Sequence, residues 1–437
     1  MSKLNLLLPL LLCMTSMQAQ DFNPALMDSF LLHLYQNNKG MGSLAIMKGD
    51  QLIYRGVVGM ADVAKGKIAT VDTRYKIGSV SKTFTATMIM QLVDAGQLQL
   101  STHLSSFYPE ITNAERITIR QLLSHRTGIP EYLEDKSEAQ LSKAVSVETL
   151  TKEISKLPAK FEPDAQYEYS NSNYYLLACI AEKISGQSYN TLLQGLGQKV
   201  GLKHTTAGDQ ETGEMYAKSY GWLQEWKPMS AWDMSWAYGA GAISSTAAET
   251  AKYMYALQSG KILSEASTAE MKKINEGYGL GLFTVPYGKY RGCGHNGRIE
   301  NFESSAYHFP ELDLTFAYLS NGLSLNNNDI LLGILGIAID GQYDFPDFTP
   351  KTEVQLSAAQ LQLFEGEYKS ATFPLDVKVF LSGEALMAQA TGQGPFPLMA
   401  VGDAAFVFEA AGIEISFDTS QNSMTLKQAG MVNVFKR

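Results

Sequence analysis

Cysteine and histidine are scarce in the 437-residue chain, and those present form no metal-ligand pattern. The three cysteines and six histidines include no Cys-x-x-Cys and no His-Glu-x-x-His, which are spacings that typically hold zinc. Three cysteines also do not make a disulfide framework. We therefore expect no metal, no other cofactor and no set of stabilising disulfides.

Blocks of like charge are also missing. The chain has 35 basic and 44 acidic residues, a formal net charge of −9, and these charges are spread without long runs of one sign. Nucleic-acid-binding domains usually carry a basic patch or stripe, so we expect no nucleic-acid partner. A chain of this length can bury a substantial core, and two folded units are the natural expectation.

No hydrophobic run in the chain is long enough to span a membrane, and a short one lies at the N-terminus, where Lys3 precedes an apolar run from Leu4 to Leu12. This run is too short to span a membrane and has the outline of a secretory signal. We predict a signal peptide over residues 1–19, cleaved after Ala19, with Ser16 or Gln20 as alternatives. The mature protein is then expected in the periplasm or outside the cell, without a transmembrane segment.

The cysteines allow one alternative to a simple signal peptide. Cys13 follows three leucines, and a cysteine in such a place can carry a lipid anchor. Leu12 is too bulky for the small residue that lipoprotein cleavage requires, so we do not expect lipid anchoring at Cys13. Cys179 and Cys293 lie in apolar or glycine-rich surroundings typical of buried thiols, and the sequence leaves their state open.

A nucleophilic serine is predicted in the stretch Ser79-Val80-Ser81-Lys82, which precedes a nearly unbroken apolar run from Phe84 to Val93. Such a run is typical of a helix buried on most sides. Residues three apart share a helix face, so the Ser79 hydroxyl and the Lys82 amine should be in contact. A buried lysine at a helix N-terminus can activate a serine. The spacing alone would also fit a capped helix with a surface lysine.

Two further short motifs lie downstream. Tyr169-Ser170-Asn171 precedes a predicted helix over 173–184, and Tyr169 and Asn171 alternate around Ser170 so that both can face one side. His295-Asn296-Gly297 ends a predicted strand over 291–297. Ser124 and His125 are also adjacent, but sequence neighbours rarely have the geometry for proton transfer. We therefore interpret that pair as part of a structured turn.

The predicted strands lie on both sides of the reactive helix in sequence, which implies one sheet assembled from both ends of a domain. They cover residues 43–47, 51–58, 277–285, 291–297, 303–309 and 313–320. Beyond a proline-containing linker, short alternating apolar segments predict a small antiparallel sheet or barrel. The predicted division is a hydrolase domain over 20–343, a linker over 344–355 and a β domain over 356–437.

The three motifs together resemble the Ser-x-x-Lys, Tyr-x-Asn and Lys/His-x-Gly motifs of the serine beta-lactamase and penicillin-binding-protein superfamily. The segments IGSVSKTFTA, LLSHRTGIP, YEYSNSNYYLLACIAEKISG and GHNGRIENF are similar to the branch with class C beta-lactamases, D-alanyl-D-alanine carboxypeptidases, D-aminopeptidases and esterases. The resemblance covers about residues 41–340 and implies an α/β sandwich, in which helices flank an antiparallel sheet, with an all-helical subdomain. The tail resembles the lipocalin-like barrel often attached to such domains.

The resemblance also implies roles for individual residues. Ser79 would attack a carbonyl and form an acyl-enzyme. The Lys82 ammonium would lower the pKa of Tyr169 and favour its phenolate as general base, although the sequence leaves open whether Lys82 or Tyr169 takes the proton.

The remaining implied roles concern substrate orientation and charge stabilisation. Asn171 would orient Lys82 and the substrate amide, and His295 and Gly297 would line the substrate site. The backbone N–H groups of Ser79 and Arg298 would form the oxyanion hole.

The expected activity is hydrolysis of short D-amino-acid peptides or peptidoglycan fragments by a carboxypeptidase or aminopeptidase. His295 stands where beta-lactamases usually carry lysine, so a permanent charge is replaced by one mostly absent near neutral pH. This weakens the case for an efficient beta-lactamase, whose substrates carry a carboxylate. The alternatives are a carboxylesterase, a weak beta-lactamase, or a non-catalytic protein that binds peptidoglycan or a partner. The oligomeric state is left open.

Overall fold

The structure, a computed structural model, describes residues 22–208, 213–349, 351–371, 373–408, 412–428 and 431–437. The predicted signal peptide, its cleavage site and Cys13 lie outside these residues. No helix within the described ranges is long and apolar enough to cross a membrane.

The helices fall mainly before residue 341. They are α1 (Pro24–Gln36), α2 (Ser81–Asp94), α3 (Ile119–Leu123), α4 (Glu138–Leu141), α5 (Val147–Ser155), α6 (Asn171–Ser185), α7 (Tyr189–Val200), α8 (Tyr238–Gly241), α9 (Ala247–Gln258), α10 (Glu265–Met271), α11 (Asn327–Leu335) and α12 (Ala358–Leu361). A 3-10 turn over Gly78–Val80 leads into α2, which is the helix that carries the Ser-x-x-Lys motif.

The strands before the linker are β1 (Gly40–Lys48), β2 (Gln51–Val58), β3 (Met60–Asp62), β4 (Lys67–Ile68), β5 (Tyr75–Lys76), β6 (Thr206–Ala207), β7 (Tyr220–Trp222), β8 (Trp226–Pro228), β9 (Ile243–Ser245), β10 (Phe283–Tyr287), β11 (Tyr290–Ile299), β12 (Phe302–Phe309) and β13 (Leu314–Leu323). Those after it are β14 (Gly366–Tyr368), β15 (Val377–Ser382), β16 (Ala385–Ala390), β17 (Phe396–Gly402), β18 (Ala405–Phe408), β19 (Ile413–Asp418), β20 (Ser423–Gln428) and β21 (Met431–Lys436).

The main sheet joins the two ends of the first domain, as predicted. Its strand order is β10-β11-β12-β13-β1-β2, and each neighbouring pair is antiparallel. The first strand pairs with the last, with Leu44 opposite Tyr318 and Ala45 opposite Ala317. The fold is therefore the predicted antiparallel sheet flanked by helices.

Apolar clusters cover both faces of this sheet. Successive side chains of a strand point to opposite faces, so β1 contributes to both clusters. Leu44 and Ile46 of β1 join the apolar cluster formed with α1 and α11. Ala45 and Met47 join the larger cluster that contains α2, α6 and α9. The helix α2 is buried on nearly all sides, since only Gln91, Val93 and Asp94 of its 14 residues are not fully buried. This confirms the prediction made from its unbroken apolar run.

One predicted strand is wrong in its first half. The segment from Gly277 was expected to be extended, but the strand begins only at Phe283. Gly277 and Gly281 have φ angles of +90° and +80°, a backbone conformation that glycine adopts readily and that bends the chain. This bend places Tyr278 beside the third motif.

The tail forms a separate eight-stranded antiparallel sheet in simple sequence order from β14 to β21. The first and last strands of this sheet approach each other, as shown by two 2.8 Å hydrogen bonds between the backbones of Lys369, just after β14, and Lys436, in β21. The interior is packed with side chains, among them the contacting rings of Phe364, Phe406 and Phe417. Small eight-stranded barrels are commonly filled in this way.

The linker lies between these two units. On the first unit, His33 bonds to the Pro346 carbonyl at 2.8 Å and its ring stacks on Phe348. On the second, the Val354 N–H donates to the Ala400 carbonyl at 2.8 Å. The buried residues of the first two apolar clusters all lie in the first unit and those of the third all lie in the tail, while the linker residues Phe345, Phe348 and Val354 pack against the second or the third cluster. We propose that the boundaries predicted from the sequence, at 343 and 356, separate two domains.

Candidate active site

Ser79, the predicted nucleophile, lies on a turn that is anchored to β9. The strand β5 pairs with β9, and the Ile77 N–H just after it donates to the Ile243 carbonyl at 2.9 Å. Gly78 then has a φ of +48°, which lets the chain turn sharply into α2. Ser79 is therefore presented at the helix N-terminus, where backbone N–H groups and the helix dipole favour negative charge.

The Lys82 amine reaches Ser79 and is completely buried. Its Nζ lies 3.0 Å from Ser79 Oγ, 2.6 Å from Asn171 Oδ1 and 2.8 Å from the Ala240 carbonyl oxygen. Burial disfavours the ammonium and lowers the pKa of Lys82 to about 7, although the charge of Glu131 opposes this. A substantial share of Lys82 is therefore neutral near pH 7 and able to accept a proton.

Tyr169 completes the cluster, but its protonation differs from the expectation. Its ring lines the same cleft as Ser79, and Lys82 Nζ lies 4.8 Å from the centre of that ring. The pKa of Tyr169 is raised far above its usual value because burial outweighs the favourable interaction of its hydroxyl with Ser79. The expected lowering of this pKa by Lys82 is therefore wrong. A neutral Tyr169 can donate or relay a proton, and Lys82 is the better base.

Asn171 is held by a carboxylate that the sequence did not single out. Its backbone N–H and its Nδ2 both donate to Glu131 Oε2, at 2.8 and 2.7 Å. The amide oxygen is left to accept from Lys82. Glu131 lies 40 residues before Asn171 in the chain, and no periodicity or spacing links the two in sequence.

His125 contacts two residues of the second motif, Tyr169 and Ser170. Its Nδ1 accepts from the Ser170 backbone N–H at 3.1 Å, and its ring lies 4.3 Å from that of Tyr169. Burial holds the pKa of His125 well below its usual value, so the ring is neutral. Ser124 instead donates to the Arg120 carbonyl. The two neighbours are thus part of a turn that places Tyr169, and they do not form a Ser–His pair.

The His295 ring of the third motif is buried and neutral. Its Nδ1 is bonded to the Asn296 carbonyl oxygen and its Nε2 lies 2.9 Å from the Tyr278 hydroxyl. A carbonyl can only accept, so Nδ1 carries the hydrogen and Tyr278 donates to Nε2. Burial, with the nearby Lys82 charge second, lowers the pKa of His295 to about 3. This position therefore supplies no positive charge near neutral pH.

Two glycines let β11 lie directly against the serine turn. A Cβ at Gly297 would be 2.2 Å from the Ile77 carbonyl oxygen and 2.7 Å from the Ser79 nitrogen. A Cβ at Gly78 would be 2.9 Å from the Arg298 nitrogen. The backbone of Ser79 and that of Arg298 are thereby brought together, which is the arrangement that the expected oxyanion hole requires.

A buried ion pair joins the same two segments. Lys76 Nζ lies 2.6 Å from Glu300 Oε1, and the two side chains are only 5% and 3% exposed. Lys76 precedes the serine turn and Glu300 follows Arg298. Breaking a buried pair by removing one partner typically costs about 3–5 kcal/mol, so this pair is well suited to fix the distance between the turn and the strand.

An open cleft of about 630 Å³ gives access to Ser79. Aromatic side chains form much of its wall, and its charged lining residues are Glu276, Arg298 and Glu303. The Arg298 side chain is 70% exposed and lies 3.6 Å from Glu303, which partly offsets its charge. No group of histidines, cysteines and acidic residues suited to a metal occurs among the described residues.

Alanine at Gly297 is expected to lower kcat for a p-nitrophenyl ester by about 100-fold, the effect typical of a lost oxyanion donor. The added Cβ would press on the Ile77 carbonyl and the Ser79 N–H. The matched control is Gly195→Ala, at an exposed site in α7 with no atom within 4 Å of the new Cβ. That control should keep kcat unchanged and gain about 0.5–1 kcal/mol in stability. Equal kcat values for both variants would contradict the assigned geometry.

Comparison with known proteins shows that the chain is similar to a described family. The Beta-lactamase family model matches residues 35–335. The Bacillus subtilis (strain 168) protein PbpX, which is named as a penicillin-binding protein, is 27% identical over 296 residues, or 66% of this chain and 74% of that protein. The teichoic acid D-alanine hydrolase of Staphylococcus aureus (strain NCTC 8325 / PS 47) is 26% identical over 257 residues. That match covers 56% of this chain and 62% of the relative, less than two thirds of its length.

Solved structures extend the likeness to the whole fold. The D-amino acid amidase from Ochrobactrum anthropi SV3, complexed with D-phenylalanine, superposes with a TM-score of 0.67 at 23% identity, over 73% of this chain and 99% of that one. An octameric penicillin-binding protein homologue from Pyrococcus abyssi has a TM-score of 0.66 at 21% identity and covers 94% of this chain and 99% of its own. The second likeness therefore includes the C-terminal barrel.

Proposed function

The chain belongs to the Beta-lactamase family and is a serine hydrolase of that fold, and we propose that it hydrolyses short D-amino-acid peptides, amides or esters through an acyl-enzyme on Ser79. One observation carries the proposal. In a cleft open to substrate and lined by Tyr169, Ser79 Oγ lies 3.0 Å from the buried Lys82 amine. We further propose that the protein is exported, on the basis of its N-terminal sequence.

Acylation follows from the protonation states of these groups. Ser79 Oγ attacks the substrate carbonyl while its proton moves to the neutral Lys82 amine, directly or through the Tyr169 hydroxyl. The carbonyl oxygen becomes an oxyanion beside the backbone N–H groups of Ser79 and Arg298. As the tetrahedral intermediate collapses, the bond between the carbonyl carbon and the leaving nitrogen or oxygen breaks, and the leaving group takes the proton from Lys82.

Deacylation uses the same groups in the reverse sense. A water molecule gives a proton to Lys82 and attacks the ester carbonyl, and the bond between that carbonyl and Ser79 Oγ breaks. The proton returns to Ser79, so the free acid leaves and the enzyme is restored. Each proton that the cluster accepts is released within one cycle, which a base with a pKa near 7 can support at neutral pH.

The charge of the cleft favours an aminoacyl substrate over one with a terminal carboxylate. The neutral His295 offers no cation to a carboxylate, and Arg298 is exposed and paired with Glu303. An aminoacyl substrate carries an ammonium group instead, and the charged lining residues of the cleft are two carboxylates, Glu276, which pairs with Arg126, and Glu303, against one cation, Arg298. One relative is named for teichoic acid D-alanine hydrolysis and one solved neighbour for D-amino acid amides. We therefore favour an aminopeptidase, amidase or esterase of D-aminoacyl groups over a carboxypeptidase.

A substrate panel tests this choice. The purified protein should cleave D-alanyl p-nitroanilide at least about tenfold faster than its L enantiomer. It should also prefer this amide to an N-acylated D-alanyl-D-alanine, which has a free carboxylate, and to a chromogenic cephalosporin. Faster cleavage of the carboxylate substrates would support a carboxypeptidase or beta-lactamase instead.

The esterase alternative has one observation in its favour. Tyr167, Tyr278 and Phe283 line the cleft and present aromatic surface that fits an apolar acyl chain. Rapid hydrolysis of p-nitrophenyl butyrate, with no preference between D- and L-alanyl substrates, would decide for a carboxylesterase. A protein that binds such compounds but turns over none would be the non-catalytic binder.

A further inference from the structure

We propose that Glu131 is a positioning residue of the active site, which orients the Asn171 amide and supplies the carboxylate charge that faces the buried Lys82 amine. The inference rests on the proposed role of Lys82 as the base for Ser79. Glu131 lies outside the three motifs, on the loop between α3 and α4. Glu131 would act on Ser79 through the side chains of Asn171 and Lys82, without touching the substrate.

The hydrogen bonds around Asn171 permit one orientation of its amide. Glu131 Oε2 accepts from Asn171 Nδ2 at 2.7 Å, while Asn171 Oδ1 accepts from Lys82 Nζ at 2.6 Å. Turning the amide over would set its NH2 group against the Lys82 amine and its oxygen against the carboxylate. Both contacts would then be unfavourable, so the position of Glu131 determines what Asn171 presents to Lys82.

The Glu131 carboxylate is itself held in place. One oxygen accepts from both donors of Asn171, and the other accepts from the Leu133 backbone N–H at 2.9 Å. Charged hydrogen bonds of this kind are stronger than neutral ones. The carboxylate is therefore fixed relative to the first turn of α6, and Asn171 at that turn carries its influence to Lys82.

Glu131 is the carboxylate that acts on the Lys82 amine among the described residues. The other titratable groups facing this amine are neutral rings from several elements, namely Tyr169, Tyr174, His125 and His295. Burial lowers the pKa of Lys82, and the negative charge of Glu131 opposes that lowering. Glu131 therefore raises the pH at which the neutral amine becomes available as a base.

The charge of Glu131 determines the direction in which its loss should shift the pH dependence of acylation. Only neutral Lys82 can take the Ser79 proton, so acylation should rise with pH through the Lys82 pKa, near 7. Removing the charge of Glu131 disfavours the ammonium and lowers this pKa. The acid limb of the rate profile should then move to lower pH, by about one unit for a nearby charge.

The experiment compares the full-length protein with Glu131→Gln and Glu134→Gln. Glu134 is a matched control, since its side chain is 64% exposed and lies 3.6 Å from Lys160 at the surface. The measurement is the rate of covalent labelling by a fluorophosphonate between about pH 5 and about pH 9. Glu131→Gln should shift the midpoint down by about one unit and Glu134→Gln should leave it unchanged. A purely structural role would lower the rate equally at every pH, and that result would overturn the proposal.

A second pair keeps the test decisive if Glu131→Gln fails to fold. Glu131→Asp and Glu131→Asn are equal in size and differ in charge, so both lose reach but only the second loses the carboxylate. The Asn variant should have the lower midpoint, and equal midpoints would overturn the proposal. A wild-type profile without an acid limb near 7 would refute the Lys82 assignment and this inference with it. A normal wild-type limb that neither pair shifts would refute the role of Glu131 alone.

Discussion

Replacing Ser79 with alanine is expected to lower hydrolysis of D-alanyl p-nitroanilide by about four to six orders of magnitude, as removal of a serine nucleophile does in other hydrolases. The variant keeps the oxyanion backbone and the cleft, so its binding of substrate should change little. The direct measurement is kcat and KM of both proteins under identical conditions, with kcat carrying nearly the whole loss.

The control for Ser79→Ala is Ser142→Ala. Ser142 is exposed and its hydroxyl donates a local 3.3 Å hydrogen bond to the Ala139 carbonyl at the end of α4, so removal of that hydroxyl should leave kcat within about twofold. A Ser79→Ala protein that retained more than about one hundredth of the wild-type rate would mean that another group is the nucleophile.

We expect that arginine in place of Lys82 will not maintain the rate of acylation. Lys82→Met removes the base and should lower acylation by about 10²- to 10⁴-fold, the usual share of a general base. Lys82→Arg restores a positive charge in a similar place, but guanidinium does not lose its proton in proteins. If the neutral amine is what activates Ser79, the Arg variant should be as slow as the Met variant when both are assayed by the burst of p-nitrophenol from an activated ester.

A surface lysine provides the control for this series. Lys152 lies exposed on α5, and Lys152→Met should keep the wild-type burst rate. A burst rate of Lys82→Arg within about tenfold of wild type would contradict this expectation. It would show that a positive charge at this position suffices for acylation, and it would assign the role of base to Tyr169.

The parts of the site that the sequence predicts correctly depend on local geometry. Ser79 and Lys82 are one helical turn apart, and a buried helix was indicated by its unbroken apolar run, so their contact needed no tertiary information. A single sheet built from both ends of the domain was likewise implied by strands on both sides of that helix, and the pairing of β1 with β13 joins those ends. Alternation and spacing carry these features in the sequence itself.

The features that the sequence could not predict depend on burial and on distant contacts. Tyr169 was expected to have a lowered pKa because of Lys82, yet the closed packing around its ring raises it. The environment of a side chain is set by elements far away in the chain, here His125 and Tyr278. For the same reason the bond from Glu131 to Asn171 had no sequence signal.

The C-terminal domain also has features that its sequence predicts and features that it does not. Alternating apolar residues predicted five of its short antiparallel strands, which β15, β16, β18, β19 and β20 confirm, whereas β17 was not predicted. The approach of its two ends depends on backbone bonds between Lys369 and Lys436, 67 residues apart by their numbers, which a pattern of period two cannot indicate. Its likeness to lipocalins stays a prediction, and its packed interior is filled by its own side chains.

Covalent labelling followed by peptide mapping tests the central claim most directly, namely that this cleft makes Ser79 a nucleophile. Wild-type protein treated with a fluorophosphonate should gain the mass of one adduct per chain, and the modified peptide should be the one that contains Ser79. The same treatment of Ser79→Ala should leave the mass unchanged. Wild-type protein that stays unlabelled, or an adduct that persists in Ser79→Ala, would contradict the claim.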